Sequence, residues 1–313
     1  MAINIKNQIG VALKGMAMGV AEVIPGVSGG TIAFITGIYE KLLNTIKAFS
    51  PSLLKTLKED GIRAVWQAIN GNFLVALLIG MVGGILIGTF GVSHLLENYP
   101  VLLWAFFFGL IAASVIYIAK QIEKWGAVEV LLFLLATGLS YYITVVAPAQ
   151  GNHALWFVFL SGMIAICALI LPGVSGSFIL LLMGMYTYIL PTAREALSTF
   201  ATDKLTILAV FALGCLTGLL SFANLVSWTF EHYRKATLAT LTGFMLGSLN
   251  KVWPWRNVIQ TRTNSHGEEV PFLEQSVLPT SFDGETYLMG VLALMVAGFI
   301  SVFLLERLGN SEG

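Results

Sequence analysis

The stretch Pro25-Gly26-Val27-Ser28-Gly29-Gly30-Thr31 interrupts an apolar run and returns almost unchanged, 147 residues later, as Pro172-Gly173-Val174-Ser175-Gly176-Ser177. The register continues through Gly37 and Gly184, Tyr39 and Tyr186, and Lys47 and Arg194, so a cation stands 22 residues past the proline in each copy. Proline brings no N–H and glycine no Cβ, and a helix passing through such a stretch breaks and exposes backbone amides. Inside a bilayer a broken helix is tolerated only where protein or a polar cavity surrounds it. The two stretches are therefore the first place to expect a ligand.

That the setting is a bilayer follows from composition. Of 313 residues 57% are hydrophobic and only 11% charged, and the mean hydropathy is +0.83. Seventeen basic residues balance seventeen acidic ones, which makes nucleic acid an unsuitable partner. Cys167 and Cys215 both fall in apolar segments, and the four histidines (His94, His153, His232, His266) cluster with neither acids nor cysteines, so no metal site is expected. No cofactor motif is present, and the first apolar run reads as mature structure rather than a cleaved signal.

The pattern predicts an all-α polytopic membrane protein of two repeats, residues 1–150 and 151–313. In the first, apolar arms at 9–24 and 28–46 flank the motif, an amphipathic surface helix covers 51–70, and spans follow at 73–95, 101–119 and 128–147. In the second, arms at 154–171 and 174–190 precede spans at 205–229, 236–250 and 286–305, with a polar, proline-punctuated loop over 251–285. Weaker matches join Gly84 and Gly88 to Gly214 and Gly218, and Gly109 and Ser114 to Gly243 and Ser248, at points where helices would pack closely.

Three spans separate the two motif hairpins, and each hairpin adds an even number of crossings, so the repeats are expected to be inverted. With cytoplasmic termini, Lys6, Lys14, Lys41, Lys47, Lys55, Lys58, Arg63, Lys120, Lys124, Arg234, Lys235 and Arg307 lie inside. Only Arg194, Lys204, Lys251, Arg256 and Arg262 lie outside, which is the usual bias. Inverted repeats with broken helices are the plan of many secondary transporters, whose halves rock about one site. Whether the hairpins stop midway or cross completely stays open at this level, as does assembly into a homo-oligomer.

The candidate site follows from the chemistry of a helix start, where free N–H groups and the positive end of the helix dipole favour an anion. Gly26, Ser28, Gly29, Gly30 and Thr31 in one copy, and Gly173, Ser175, Gly176 and Ser177 in the other, would form a donor-rich cage for a phosphate or carboxylate. Lys47 and Arg194 could approach it from either side, or simply reach for the membrane interface. Glu22, three residues before Pro25, has Leu169 as its counterpart, and could carry a proton, hold a sodium ion or balance Lys14. The plain alternative is that these residues only kink and pack helices. A soluble-anion or small-ion transporter, and a membrane enzyme acting on polyprenyl phosphates, also stay open, although the motifs hold no nucleophile paired with a base.

From Glu22 to Thr31 the chain reads Glu-Val-Ile-Pro-Gly-Val-Ser-Gly-Gly-Thr, then Gly37-Ile38-Tyr39-Glu40, and later Leu171 to Ser177 as Leu-Pro-Gly-Val-Ser-Gly-Ser. In these residues the whole chain resembles the bacterial polyprenyl-phosphate transporter family, catalogued as domain of unknown function 368 and including PopT-type undecaprenyl-phosphate translocases. The resemblance implies a non-enzymatic membrane protein that returns undecaprenyl phosphate, the carrier lipid of envelope glycans, from the outer to the inner leaflet of the bacterial plasma membrane. In the family an aspartate often stands where Glu22 is here.

Overall fold

The computed structural model describes residues 5–24, 27–263 and 269–310, so Pro25 and the expected site residue Gly26 lie outside the described residues. The first half runs α1 (Ile5–Val23), α2 (Gly29–Ile35), α3 (Tyr39–Lys47), α4 (Ser52–Glu59), α5 (Gly61–Ala68), α6 (Gly71–Ile87) with a π-helical turn at Gly88–Val92, α7 (Ser93–Asn98), α8 (Pro100–Lys120) and α9 (Ala127–Val145). The second runs α10 (Leu155–Ile170), α11 (Gly176–Leu182), α12 (Tyr186–Thr199), α13 (Thr202–His232), α14 (Arg234–Ser248), β1 (Arg256–Thr263), β2 (Glu269–Ser276) and α15 (Leu288–Asn310). Among the described residues four helices are long and apolar enough to cross a membrane: Gly71–Leu96, Pro100–Lys120, Ala127–Val145 and Thr202–His232. The expected span at 236–250 is the 15-residue α14, roughly 22 Å long.

Two expectations need correction. The arms after each motif, 28–46 and 174–190, are not continuous helices. Gly37 at φ +73° and Gly184 at φ +68° end α2 and α11 after seven residues. The caps are the same in both copies. Gly37 donates to Phe34 O and Ile38 to Ala33 O, while Gly184 donates to Leu181 O and Met185 to Leu180 O, a Schellman pattern that only a left-handed residue closes without strain. Beyond the second cap, α12 leaves α11 at 109°. The other correction concerns 251–285, expected as loop in an all-α chain. It contains an antiparallel hairpin pairing Arg256 with Ser276 and Val258 with Glu274, where Val258, Ile259 and Thr261 favour extended backbone. The expected surface helix at 51–70 is two short exposed helices, α4 and α5, meeting at Gly61 with φ +79°.

Helix packing relies on close backbone approach, since apolar burial gives helices little reason to associate within lipid. A Cβ on Gly80 or Gly84 would fall on the carbonyl of Ala12 or Met16, and one on Gly15 or Gly19 on that of Leu77 or Met81, so α1 and α6 run parallel. Gly214 and Gly218 meet Phe159 and Met163 in the same way, making α10 and α13 parallel. Likewise α9 and α14 run parallel, with Gly243 on Phe133 and Gly247 on Thr137, while Gly109 packs on Met295 where α8 meets α15. By these contacts Gly80 and Gly84 occupy the places of Gly214 and Gly218, one helical turn from the pairing expected from sequence. The resulting offset of 134 matches that from Gly109 to Gly243.

Candidate functional site

At each motif the chain turns back on itself, so that α2 lies against α1 and α11 against α10. The two turns meet. Gly173 N–H donates to Thr31 Oγ1 at 2.9 Å, and Ser28 Oγ reaches the Leu171 carbonyl at 3.3 Å and the Leu169 carbonyl at 3.5 Å. Glycine is required where these segments touch. A Cβ on Gly30 would lie 2.7 Å from the Ile170 oxygen, and one on Gly173, at φ +85°, would lie 2.8 Å from Met245 Cα. Ser28, Thr31 and Ser175 are buried at this junction although the neighbouring sequence is apolar. Their hydroxyls replace the backbone pairs lost where the helices break.

The amides of the first motif are not free, as the anion-cage expectation had them. Gly29 N–H donates to Glu22 Oε1 at 2.8 Å, and Gly30 N–H to Ser28 Oγ at 3.1 Å. The chain's own carboxylate thus occupies the anion position at the start of α2. At the second motif the residue equivalent to Glu22 is Leu169, which offers no such group. There Ser175 Oγ caps Phe178 N–H at 3.4 Å and lies 3.0 Å from Ser177 Oγ, beside Gly176. A narrow cleft of about 10 Å³ opens at this point, lined by Ser140, Ile143 and Thr144 of α9, by Gly173, Val174, Ser175 and Phe178, and by Lys251.

Lys251 was not among the site residues expected from sequence. It follows α14 directly and reaches the cleft because α9 and α14 run side by side, with Asn250 bonded to Thr144 Oγ1 at 2.7 Å. Its ammonium lies 4.4 Å from the centre of the Phe178 ring and 3.8 Å from Glu274 of β2. Arg256 of β1 holds Glu274 more closely, at 2.9 Å, and donates to the Lys251 carbonyl. Burial and the Arg256 charge depress the Lys251 pKa to about 8, with Glu274 acting in the opposite direction, and burial also lowers that of Arg256. The signal available in the sequence was the β-branched residues Val258, Ile259, Thr261 and Thr263 after Trp255, which favour a strand able to lead the chain back to this spot.

The flanking cations stand elsewhere. Lys47 pairs with Glu231 at 3.0 Å and bonds to Ser227 Oγ at 3.4 Å, and Arg234 pairs with Glu40 at 2.8 Å. A separate cavity of about 160 Å³ where α3 meets α13 is lined by Glu40, Asn44, Ser227, Phe230, Glu231 and Arg234. Arg194 is exposed on α12. The junction therefore gathers Ser28, Gly29, Gly30, Thr31 and Gly173, and the cleft Gly173 and Ser175 with Ser177 adjoining, while Lys47 is in neither. Among the described residues no three His, Cys, Asp or Glu side chains gather as a metal site would need.

The family model described as VCA0040-like, undecaprenyl phosphate translocase-like, matches residues 18–270. A polyprenyl-phosphate transporter of Vibrio cholerae serotype O1 is 45% identical over 312 residues, covering 98% of this chain and 99% of that protein. One of Staphylococcus aureus is 31% identical over 257 residues, covering 77% of this chain and 85% of that protein. No solved structure matches. Both relatives carry the name of a transporter and neither that of an enzyme. With most of its length matched, from the first motif's approach through the second motif and into the β-hairpin, the chain belongs to the undecaprenyl phosphate translocase-like family.

Proposed function

We propose that this protein is a flippase that returns undecaprenyl phosphate from the outer to the inner leaflet of the bacterial plasma membrane, for reuse in envelope glycan synthesis. The observation that carries the reading is the bond from Gly173 N–H to Thr31 Oγ1, which joins the two interrupted hairpins at their tips. Residues 1–150 and 151–313 act as inverted repeats with cytoplasmic termini. The parallel pairs support this. If α1 and α6 point outward, alternation through α8 and α9 makes α10 and its parallel partner α13 point inward, and brings α14 outward beside its parallel partner α9.

Burying the phosphate charge in hydrocarbon is what makes spontaneous flipping slow, whereas the isoprenoid tail loses nothing by staying in lipid. The hydroxyls and amides of Ser28, Gly29, Gly30, Thr31, Gly173, Ser175, Gly176 and Ser177, and of Gly26 by its place in the motif's sequence, take the headgroup through mid-membrane as the halves rock. Lys47 and Arg194 stand as cations at the two ends of its path. Glu22 couples the cycle to protons. Protonated, it holds Gly29 N–H less strongly, because the charge assistance is lost, and yields that donor to a phosphate oxygen.

The test is transport of a fluorescent polyprenyl phosphate across proteoliposomes by purified protein, with and without a proton gradient, alongside inorganic phosphate flux. The reading expects lipid translocation that Glu22→Gln slows by about tenfold or more, with loss of its pH dependence. Full rate and unchanged pH dependence in Glu22→Gln would remove the carboxylate from the mechanism. Flux of inorganic phosphate without lipid movement would make the protein a soluble-anion transporter instead.

A further inference from the structure

The second motif differs from the first in its electrostatics. At the first, Glu22 supplies a negative group to the start of α2; at the second, Leu169 supplies none and Lys251 lines the cleft instead, with Arg256 behind it on the Lys251 carbonyl. Among the described residues Lys251 and Arg256 share the carboxylate of Glu274, two cations to one acid, where the Lys251 and Arg256 side chains are 15% and 7% exposed. Glu274 sits tightly on Arg256 and loosely on Lys251, and the Arg256 Nε is buried with no acceptor among the described residues. A buried excess charge and an orphaned N–H each cost free energy unless an anion answers them. The cluster has the composition of an anion site.

We propose, building on the lipid-transport reading above, that Lys251 is the residue that receives the phosphate monoester at the second motif, on the face of the protein that carries the β-hairpin. The hairpin is the positioning device. Arg256 bonds the Lys251 carbonyl and Glu274 steadies its ammonium, aiming the side chain over Phe178 into the cleft beside Ser175 and Thr144. As it stands the cleft admits about one water, so Lys251 also closes it. Its flexible four-carbon stem can swing aside from Glu274 and the Phe178 ring to meet a phosphate oxygen. A monoester is close to doubly charged at neutral pH and outcompetes a carboxylate that Arg256 already neutralises. Among the described residues the charged groups facing the ammonium are Arg256 and Glu274, and with a pKa of about 8 Lys251 is protonated at neutral pH and loses its charge at moderately alkaline pH.

The test uses full-length protein in lipid nanodiscs, titrated separately with undecaprenyl phosphate and with inorganic phosphate, and read by native mass spectrometry and by fluorescence of the neighbouring Trp253 and Trp255. Lys251→Met is expected to weaken undecaprenyl phosphate binding by about tenfold or more at pH 7. The unsubstituted protein is expected to bind more weakly from about pH 7 to 9.5, and Lys251→Arg to keep the pH 7 affinity within about threefold and to abolish that weakening. Equal affinity in Lys251→Met overturns the proposal. Should that variant fail to fold, Lys251→Arg decides, since an unchanged alkaline fall-off overturns the proposal as well. Inorganic phosphate bound as tightly as the lipid, with the same dependence on Lys251, would keep the phosphate site while removing the lipid reading. No binding of either ligand by unsubstituted protein removes both.

Discussion

Thr31 Oγ1 accepts the Gly173 N–H at 2.9 Å, a bond that with those of Ser28 Oγ to the Leu171 and Leu169 carbonyls ties the tips of two hairpins, Thr31 and Gly173 being 142 residues apart. Thr31 is fully buried, so no water can replace it. Thr31→Val keeps the shape and removes the acceptor, leaving a buried amide unsatisfied at a cost of about 1–3 kcal/mol. Thr31→Ser keeps the oxygen and should cost about 1 kcal/mol, for the lost methyl. Reversible unfolding in mixed micelles measures both. Equal stability of Thr31→Val and the unsubstituted protein would show that the tips are not joined through this bond.

Adjacent glycines in α6 face different surroundings. A Cβ on Gly84 would meet the Met16 backbone oxygen, whereas one on Gly83 finds only the Met16 methyl, at 4.0 Å. Gly84→Ala should therefore push α1 and α6 apart and destabilise by about 1–3 kcal/mol, with Gly83→Ala neutral. Gly218→Ala, against Met163 in the other helix pair, should match Gly84→Ala. Thermal unfolding of the three single variants checks the order, and a Gly83→Ala loss equal to that of Gly84→Ala would contradict the packing.

Lys251 carries a charge that folding buries. Its pKa in the folded protein, about 8, lies below the ordinary 10.5, so the folded state binds its proton less well than the unfolded one. Below about pH 8 both states are charged and the folded state bears the full cost. As pH rises from about 8 to 10.5 that cost is relieved. Lys251→Met should consequently be more stable than the unsubstituted protein at pH 7, by on the order of 1–3 kcal/mol, with the gap narrowing toward pH 10.5. A lysine kept only for structure would give the opposite sign, and unfolding measured across this pH range distinguishes the two.

Much of the site could be read from residue order. The two breaks sit where Pro, Gly and Ser recur, because helix interruption is a local property of those residues. Gly37 and Gly184 were seen as equivalent but not as helix ends, since a glycine within an apolar run says nothing of its φ until the following chain turns away. The hairpin of β1 and β2 is hard to read from sequence because its strands, Arg256–Thr263 and Glu269–Ser276, lack polar/apolar alternation and include Pro271, so only a weak β-propensity marks them.

Bilayer embedding and the equivalence of the two motifs were determined by the sequence alone, through hydropathy and the spacing of chain-breaking residues, both of which act over a few residues at a time. Which amides are taken was decided only by tertiary structure. Glu22 meets Gly29 because α1 folds back against α2, and Lys251 meets the second motif because parallel packing of α9 and α14 sets the end of one beside the other. Such pairings depend on where distant segments come to rest, and the free energy of a charge depends on those neighbours far more than on the residues beside it in the chain.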